Sequence, residues 1–341
     1  MELKPIVSID WLQLNVAAPK NLDLKFHLFY KVKKLPYSTR HFKIVEEIFR
    51  DNMRIATITR VPLSKVIDAD TILIKFDNWL LYSVNLFDYV TEFLTLNSLT
   101  FRSISRIDFC ADFQKFHNGM VPSTMIKNYM AGKYLRLGRT TIGNTHFKQI
   151  ELDLLHNGLK FGSNLSDVSS YLYNKTLQMT LIEWKPWIAE KWLQAGFNMN
   201  VDTWRLEISI KDCNKIIANT ETGEAQVLND LTVLQDKYTK LIYGCMRDKH
   251  FSFVIKDNQA KKSRMQKLPL YSNSFSKYTI VEGSKMIAAK RADKIFIKKL
   301  EDVNNDMRGK DFNFNIDIIG LKEKFISICG LENWARYKGL L

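Results

Sequence analysis

The sequence predicts an α+β protein in which an antiparallel β-sheet is backed by helices and followed by a mostly helical, basic C-terminal part. Two observations lead to this prediction. Short extended segments alternate with helical segments through the first two thirds of the 341 residues, and several extended segments alternate strictly between apolar and polar residues. We expect an α+β domain over residues 1–211 and a basic, mainly helical accessory region over residues 212–341.

The N-terminal half supplies most of the predicted strands. Apolar alternation and turn signals predict strands at 9–16, 71–76 and 105–113, extended segments over 43–60 with a turn at Asp51 and Asn52, and helices at 83–99 and 123–135. Each of these helices is preceded or followed by a strand, which favours a sheet with helices on one face.

The second half adds further strands and a short helical insert. Turn signals inside 151–175 predict hairpin strands, the tryptophan-rich segment 184–195 is predicted to be helical, and 203–211 is predicted to be a strand. The apolar spacing over 284–300 predicts a helix with one basic face.

Composition excludes several classes of protein. Hydrophobic residues make up 46% of the chain, which is enough for a full core, and no apolar run reaches the ~18 residues of a membrane span. The four cysteines and six histidines are dispersed without metal-ligand spacing, so a zinc site is not expected. The N-terminus lacks the pattern of a signal peptide. We expect a cytoplasmic bacterial protein without membrane contact.

The positive charge is concentrated in one segment. Between Lys237 and Lys299 there are 16 lysines and arginines against four acids, so a surplus of 12 accounts for most of the net +14. A segment of this kind is typical of phosphate binding, although a solvated basic surface gives the same pattern. The candidate DNA-binding residues are Arg106, Lys211, Lys261, Lys262, Arg264, Lys267, Lys290, Arg291, Lys294 and Lys298.

Three predicted strands have unusual polar faces. Alternation places Arg106, Asp108, Cys110 and Asp112 on one face of the first strand, Tyr171, Tyr173 and Lys175 on one face of the second, and Arg205, Glu207, Ser209 and Lys211 on one face of the third. If the strands are neighbours, these side chains converge. A solvated sheet face with surface salt bridges is the alternative interpretation.

This set of residues has a chemical use. Asp108, Asp112 and Glu207 can supply oxygen ligands to Mg²⁺ or Mn²⁺, and a tyrosine hydroxyl nearby can attack phosphorus to form a phosphotyrosyl intermediate. Lys175 and Arg205 could hold the phosphate or lower the pKa of the tyrosine through their positive charge.

Four short motifs occur in an order that resembles a known family. They are RIDFCAD at 106–112, FGSNLSD at 161–167, YLYNK at 171–175 and WRLEISIK at 204–211. The arrangement resembles the Rep_trans-type plasmid rolling-circle replication initiators, which are tyrosine nickases without the two-histidine metal cluster of other nickases. The resemblance covers roughly residues 70–211. Cys110 departs from the apolar residue that is usual at its position.

The resemblance implies a function and roles for these residues. It implies an enzyme that nicks origin DNA through Tyr173, stays joined to the 5′ end, leaves a 3′-OH primer for rolling-circle replication, and later religates the strand. Tyr171 is the second choice for the nucleophile. Asp108, Asp112 and Glu207 would bind Mg²⁺ or Mn²⁺, while Arg205 and Lys175 would contact phosphate. The implied partners are double-stranded origin DNA, exposed single-stranded DNA, host replication proteins and a second copy of the chain.

Two other functions fit the same sequence. A relaxase of a conjugative or mobile element would use the same chemistry on a transfer origin. A non-catalytic DNA-binding regulator would need only the basic residues. Because the chain has no P-loop, a host helicase would have to unwind the DNA.

Overall fold

A computed structural model describes most of the first 281 residues. The described residues are 4–18, 28–65, 67–137, 144–150, 153–162, 166–211, 216–219, 225–247, 251–271 and 278–281. The chain divides into two compact units, Met1–Ile280 and Val281–Leu341. The predicted helix over 284–300 lies outside the described residues. No helix in the described part of the chain is long and apolar enough to cross a membrane.

Fifteen strands are found among the described residues. In chain order they are β1 (Ile6–Ala17), β2 (Lys31–Lys34), β3 (Phe42–Arg50), β4 (Met53–Pro62), β5 (Thr71–Phe76), β6 (Thr100–Phe113), β7 (Tyr134–Arg136), β8 (Asn144–Ile150), β9 (Asp153–Phe161), β10 (Val168–Asn174), β11 (Trp204–Ile210), β12 (Ile216–Asn219), β13 (Ala225–Val227), β14 (Phe253–Ile255) and β15 (Tyr278–Val281).

Six α-helices accompany the strands. They are α1 (Asn78–Leu81), α2 (Leu86–Leu96), α3 (Pro122–Met130), α4 (Lys175–Leu181), α5 (Pro186–Gln194) and α6 (Leu231–Arg247). A 3₁₀ turn, Lys262–Arg264, follows β14.

One large antiparallel sheet forms the centre of the first unit. Its ten strands lie in the order β2-β3-β4-β5-β1-β6-β11-β10-β9-β8. The long strands β1 and β6 pair in the middle, and β6 also pairs with β11. The predicted fold class, an antiparallel sheet backed by helices, is therefore confirmed.

The helices α2, α3 and α6 cover the apolar face of this sheet. Phe93 of α2 meets Phe76 of β5 edge-to-face, and Tyr129 of α3 meets Phe161 of β9 in the same way. Leu234 and Leu241 of α6 are fully buried in the same core. Alternation along the strands leaves the opposite face polar, which is where the candidate site lies.

The helix predicted over 123–135 is shorter in the structure. The α3 helix ends at Met130 because Gly132 adopts a positive φ of 71°, a conformation that favours glycine. Its N–H donates to the carbonyl of Tyr129, and that of Lys133 donates to the carbonyl of Asn128, which together form a Schellman motif. The chain then continues as the strand β7.

The predicted domain boundary after residue 211 falls inside the first compact unit. Leu228, Leu241, Phe251 and Phe253 all belong to the core beneath the large sheet. The described residues beyond 211 contain the helix α6 and four short strands, β12 to β15, which the sequence did not predict. Short apolar runs between polar residues carry little periodicity, so these strands left no clear pattern.

Candidate active site

Three strands bring the predicted polar residues to one place. In the register of β6, β11 and β10, Asp112 lies opposite Arg205, which lies opposite Tyr173. In the adjacent row, Glu207 lies opposite Tyr171. Since residues opposite one another in antiparallel strands point to the same face, all of these side chains share one polar surface.

Tyr173 contributes a buried hydroxyl to this surface. Its side chain is buried, and its Oη donates a hydrogen bond to Oε2 of Glu207 at 3.1 Å. Burial, and then the nearby charge of Glu207, raise the pKa of Tyr173 well above its ordinary value, while Arg205 opposes the increase. The tyrosine is therefore neutral in this state, and it can act as a nucleophile only if its proton is removed.

Tyr171 stacks on Tyr173 and is more exposed. The two rings are stacked with centroids 4.5 Å apart. Gly158 of β9 makes room for this ring, because a Cβ atom there would lie 2.9 Å from Cε2 of Tyr171. Burial and the charge of Glu207 raise the pKa of Tyr171 to about 12. Tyr171 is partly exposed whereas Tyr173 is buried.

Arg205 lies at the centre of the cluster and is completely buried. Its Nε and Nη2 donate to the two carboxylate oxygens of Asp112 at 2.6 and 2.7 Å, and its Nη1 donates to Oδ1 of Asp10 at 2.5 Å. A buried arginine is tolerated only when carboxylates compensate for its lost hydration. A phosphate could not reach a side chain with 0% exposure in this state, so Arg205 does not make the phosphate contact expected from the sequence.

Asp10 was missed by the sequence analysis. It is the extra residue of a β-bulge in β1, because Ile9 pairs with Phe109 whereas Trp11 already pairs with Asp108. The bulge turns the Asp10 side chain to the polar surface, where it also accepts a hydrogen bond from Tyr82 at 3.0 Å. Strict alternation puts the buried residues of a strand an even number of positions apart, whereas the buried Ile9 and Leu12 are three positions apart. This odd spacing was the sequence signal for the bulge.

Glu207 is the carboxylate of this surface whose negative charge is least balanced by nearby cations. Burial, followed by the charges of Asp10 and Asp108, raises its pKa to about 7, although Arg205 and Lys175 oppose this effect. The pKa of Asp10 is lowered instead, because the attraction of Arg205 and Lys175 and two hydrogen bonds outweigh its burial. Two neighbouring carboxyl groups with pKa values so far apart are typical of an acid–base site.

The YLYNK motif ends β10 and begins α4. The side chain of Asn174 caps α4 by accepting a hydrogen bond from the N–H of Leu177, and it donates to Asp202 at 2.8 Å. Lys175 is 3% exposed, and its Nζ donates to Gln178 at 2.8 Å. Burial and the charge of Arg205 lower the pKa of Lys175 to about 8. The Lys175 side chain is therefore buried beneath the polar surface, like that of Arg205.

The tryptophan-rich segment 184–195 also contributes to the site. Trp192 of α5 is fully buried, and its Nε1 donates to Oδ2 of Asp112 at 2.8 Å. Trp187 of the same helix donates to Asn78 at 3.0 Å, and Asn78 in turn donates to Asp10 at 3.1 Å. Two indole N–H groups thus fix α5 to the carboxylates of the polar surface, a role that the sequence did not indicate.

The carboxylates are not arranged as the predicted metal site. Asp112 binds Arg205 and Trp192, and Asp108 accepts two hydrogen bonds from Arg106 at 2.9 and 2.5 Å. Among the described residues, no group of three metal-ligating side chains could hold an ion. Asp108, Asp112 and Glu207 therefore do not fit a shared Mg²⁺ or Mn²⁺ site in this arrangement.

The predicted DNA-binding residues lie in several places. Arg106 lies on the polar surface beside Asp108, and Lys211 follows directly after β11. The basic segment Lys261–Lys267 lies away from the tyrosines, since it is anchored by a bridge between Lys267 and Val254, next to the ring of Phe253 in the apolar core. Lys290, Arg291, Lys294 and Lys298 lie outside the described residues.

Comparison with known proteins gives a distant structural likeness. No protein-family model matches the chain, and no curated protein matches it. Among solved structures, a rolling-circle replication initiator protein from Geobacillus stearothermophilus is similar, with 14% sequence identity and a TM-score of 0.48. The match covers 78% of this chain and 93% of that one. A likeness at this level does not establish a shared function.

Proposed function

We propose that the protein is an initiator of rolling-circle replication that nicks and rejoins one DNA strand through Tyr173. The observation that carries the proposal is the hydrogen bond from the Tyr173 hydroxyl to Glu207, in a cluster that gathers residues from three of the four motifs. The order of these motifs, which resembles plasmid replication initiators, supports replication as the purpose of the nick.

The reaction is a transesterification. The Oη of Tyr173 transfers its proton to Glu207 and attacks the phosphorus of a phosphodiester. An O–P bond forms to the tyrosine as the bond to the 3′ oxygen breaks, and this oxygen leaves as a hydroxyl after it takes up a proton. The products are a 5′-phosphotyrosyl link and a 3′-OH primer. Attack by a 3′-OH on this link reverses the step and religates the strand.

Buried positive charges make this chemistry easier. Arg205 lies opposite Tyr173 in the sheet, and Nζ of Lys175 lies 5.6 Å from the centroid of the Tyr173 ring. Both favour a developing phenolate by electrostatic attraction in a site with little water. We therefore assign Arg205 and Lys175 as positioning residues that act through Tyr173 and Glu207, in place of the phosphate contacts expected from the sequence.

A need for Mg²⁺ or Mn²⁺ stays a prediction from the family resemblance. Because the carboxylates are already paired with arginines or hydrogen-bond donors, no step of the proposed reaction passes through a metal. Comparing nicking in EDTA with nicking in Mn²⁺ tests this prediction directly.

The proposal is tested with a supercoiled plasmid that carries the DNA on either side of the gene that encodes this protein. Wild-type protein should give open circles with protein attached to the 5′ end, Tyr173→Phe should give none, and Tyr171→Phe should retain nicking as the matched control. Nicking by Tyr173→Phe at the wild-type rate would contradict the assignment of the nucleophile. Tight binding without any covalent adduct, in EDTA or with metal, would favour a non-catalytic regulator.

A relaxase would give the same covalent product. Nothing among the described residues favours transfer over replication, and the two are separated by the origin that is cut. A nick in the plasmid's own replication origin supports the initiator, whereas cutting confined to a transfer origin supports the relaxase.

A further inference from the structure

The polar surface of the sheet continues past the tyrosines as a group of cations. Lys75 of β5 lies opposite Gln13 of β1, which lies opposite Arg106 of β6, so the group shares a face with the tyrosine site. Arg54 and Lys185 lie close enough to act on the charge of Lys75. We call Lys75, Arg54, Arg106 and Lys185, with the Trp11 ring between them, the cationic patch.

An indole ring holds two of these cations in place. Nζ of Lys75 lies 3.6 Å from the centroid of the Trp11 ring, and Cζ of Arg106 lies 4.1 Å from it. Contacts of this kind between a cation and an aromatic face are attractive, and they reduce the freedom of long side chains. Trp11 therefore positions two positive charges next to one another on the sheet.

The patch presents positive charge even though acids lie nearby. Arg54 pairs with both Asp77 and Glu47, and its side chain is 45% exposed whereas those of the two acids are 18% and 14% exposed. Arg106 pairs with Asp108, with exposures of 31% and 3%. In each of these ion pairs the cation is the outer member and the carboxylate is the inner one.

Lys75 adds an exposed charge without an ion pair to any described carboxylate. Its pKa is lowered by burial of part of the side chain and then by Arg106, Arg54 and Lys185, with Asp77 opposing. Cations that repel one another in this way reduce stability unless an anion binds between them. The surface is therefore complementary to a polyanion.

We propose that the cationic patch binds the phosphate backbone of the single DNA strand that Tyr173 cuts. This inference rests on the proposed function, because that function identifies the polyanion. Trp11 lies three strands across the sheet and four residues along it from Tyr173, and Lys75 lies four strands across and six residues along, or roughly 20 to 28 Å at ~4.8 Å per strand and ~3.3 Å per residue. A single strand with ~3.4 Å between stacked nucleotides spans this distance with about six to eight nucleotides.

Single-stranded DNA fits the patch better than duplex DNA does. The patch lies on the same face of the sheet as the tyrosine that has to reach one phosphodiester, and a flexible strand can bend to contact both sites, which a rigid duplex cannot do as easily. The partly exposed ring of Tyr171 offers a stacking surface for an unpaired base between them.

The inference is tested by binding in the absence of chemistry. The full chain with Tyr173→Phe is mixed with a fluorescent 12-nucleotide single strand, and anisotropy is measured between 50 and 200 mM salt. Adding Lys75→Ala and Lys185→Ala should weaken binding at least ~10-fold at low salt. It should also reduce the slope of log K against log salt by about 1.4, since each lost phosphate contact contributes ~0.7.

Two controls keep the test specific. Lys127→Ala removes an exposed lysine from α3, on the apolar side of the sheet, and should leave affinity unchanged. Lys75→Arg keeps the charge and should retain binding. Lys75→Glu reverses the charge and should weaken binding more than alanine at the same position does. An unchanged affinity in the double alanine variant, or a loss confined to duplex DNA, would overturn the inference. Because no cleavage is measured, this result is independent of whether the wild-type protein forms an adduct.

Discussion

Arg205 shows how single residues determine the properties of the site. Its guanidinium is fully buried between Asp112 and Asp10, so it holds two carboxylates in place and lies beside the tyrosine. Alternation could predict that Arg205 and Asp112 lie on the polar faces of their strands. It could also predict that they share one face of the sheet if the strands are neighbours. The ion pair with Asp10 could not be predicted, because it depends on a bulge and on the order of the strands.

Replacing Asp112 should reduce stability more than replacing Asp108. Asp112→Asn leaves the buried Arg205 with a weaker partner, and breaking a buried pair of this kind costs about 3–5 kcal/mol. Asp108→Asn removes a partner from Arg106, which is partly exposed, and should cost about 1 kcal/mol. Urea unfolding measures both free energies. Equal losses for the two variants would contradict the structural role of Arg205.

Glu207 should make stability depend on pH between about 4.5 and 7. Its pKa is about 7 in the folded protein and near 4.5 in the unfolded chain, so its contribution to stability is fully present below pH 4.5. This contribution is lost as pH rises through 7, and the loss amounts to about 1–3 kcal/mol. Glu207→Gln should remove the loss when unfolding is measured in EDTA at pH 5 and pH 8.

The exposed Glu183 provides a control for this measurement. Glu183→Gln, in the loop between α4 and α5, should keep the wild-type pH dependence. A wild-type curve that runs parallel to that of Glu207→Gln from pH 5 to pH 8 would show that Glu207 ionises normally.

At the scale of elements, alternation predicted the strands well and their connections poorly. The strands found at Thr71–Phe76 and Trp204–Ile210 agree closely with the predicted ones, because apolar residues recur at every second position of each strand. The position of β1 between β5 and β6 depends on long-range pairing, for which a single strand carries no pattern. The helix α5 was predicted as an insert, but its contacts with the site were not.

The helix α5 should be needed for the geometry of the site. Trp192→Phe removes the hydrogen bond to Asp112 and leaves space in a buried position, which should cost about 2–3 kcal/mol and slow adduct formation. Trp187→Phe, at a partly buried position on the same helix, should cost less. Thermal unfolding and single-turnover nicking measure both effects, and equal, small effects of the two changes would contradict this role of α5.

At the scale of the whole molecule, the core extends further along the chain than charge and composition indicated. The excess of basic residues after Lys237 suggested a separate region, yet Leu241, Phe251 and Phe253 belong to the same core as the large sheet. The net charge of a segment describes its surface. It gives no information about the few apolar residues that attach the segment to a core. The net charge of the chain therefore did not predict where the first compact unit ends.

Truncation tests the extent of the first unit. A chain of residues 1–280 should unfold cooperatively, whereas one of residues 1–211 should not fold, because it lacks Leu228, Leu241, Phe251 and Phe253. Each large side chain removed from a core costs about 2–5 kcal/mol, and a domain has only about 5–15 kcal/mol of stability. Circular dichroism melting distinguishes the two outcomes, and a cooperative transition for residues 1–211 would contradict this expectation.

The most direct test of the central claim is to identify the amino acid joined to DNA. Protein trapped on a cleaved strand is digested with nuclease and trypsin, and the modified peptide is sequenced by mass spectrometry. The account predicts a nucleotide 5′-phosphate on Tyr173, with none on Tyr171, and no modified peptide from Tyr173→Phe. A nucleotide on any other residue, or an adduct that persists in Tyr173→Phe, would contradict it.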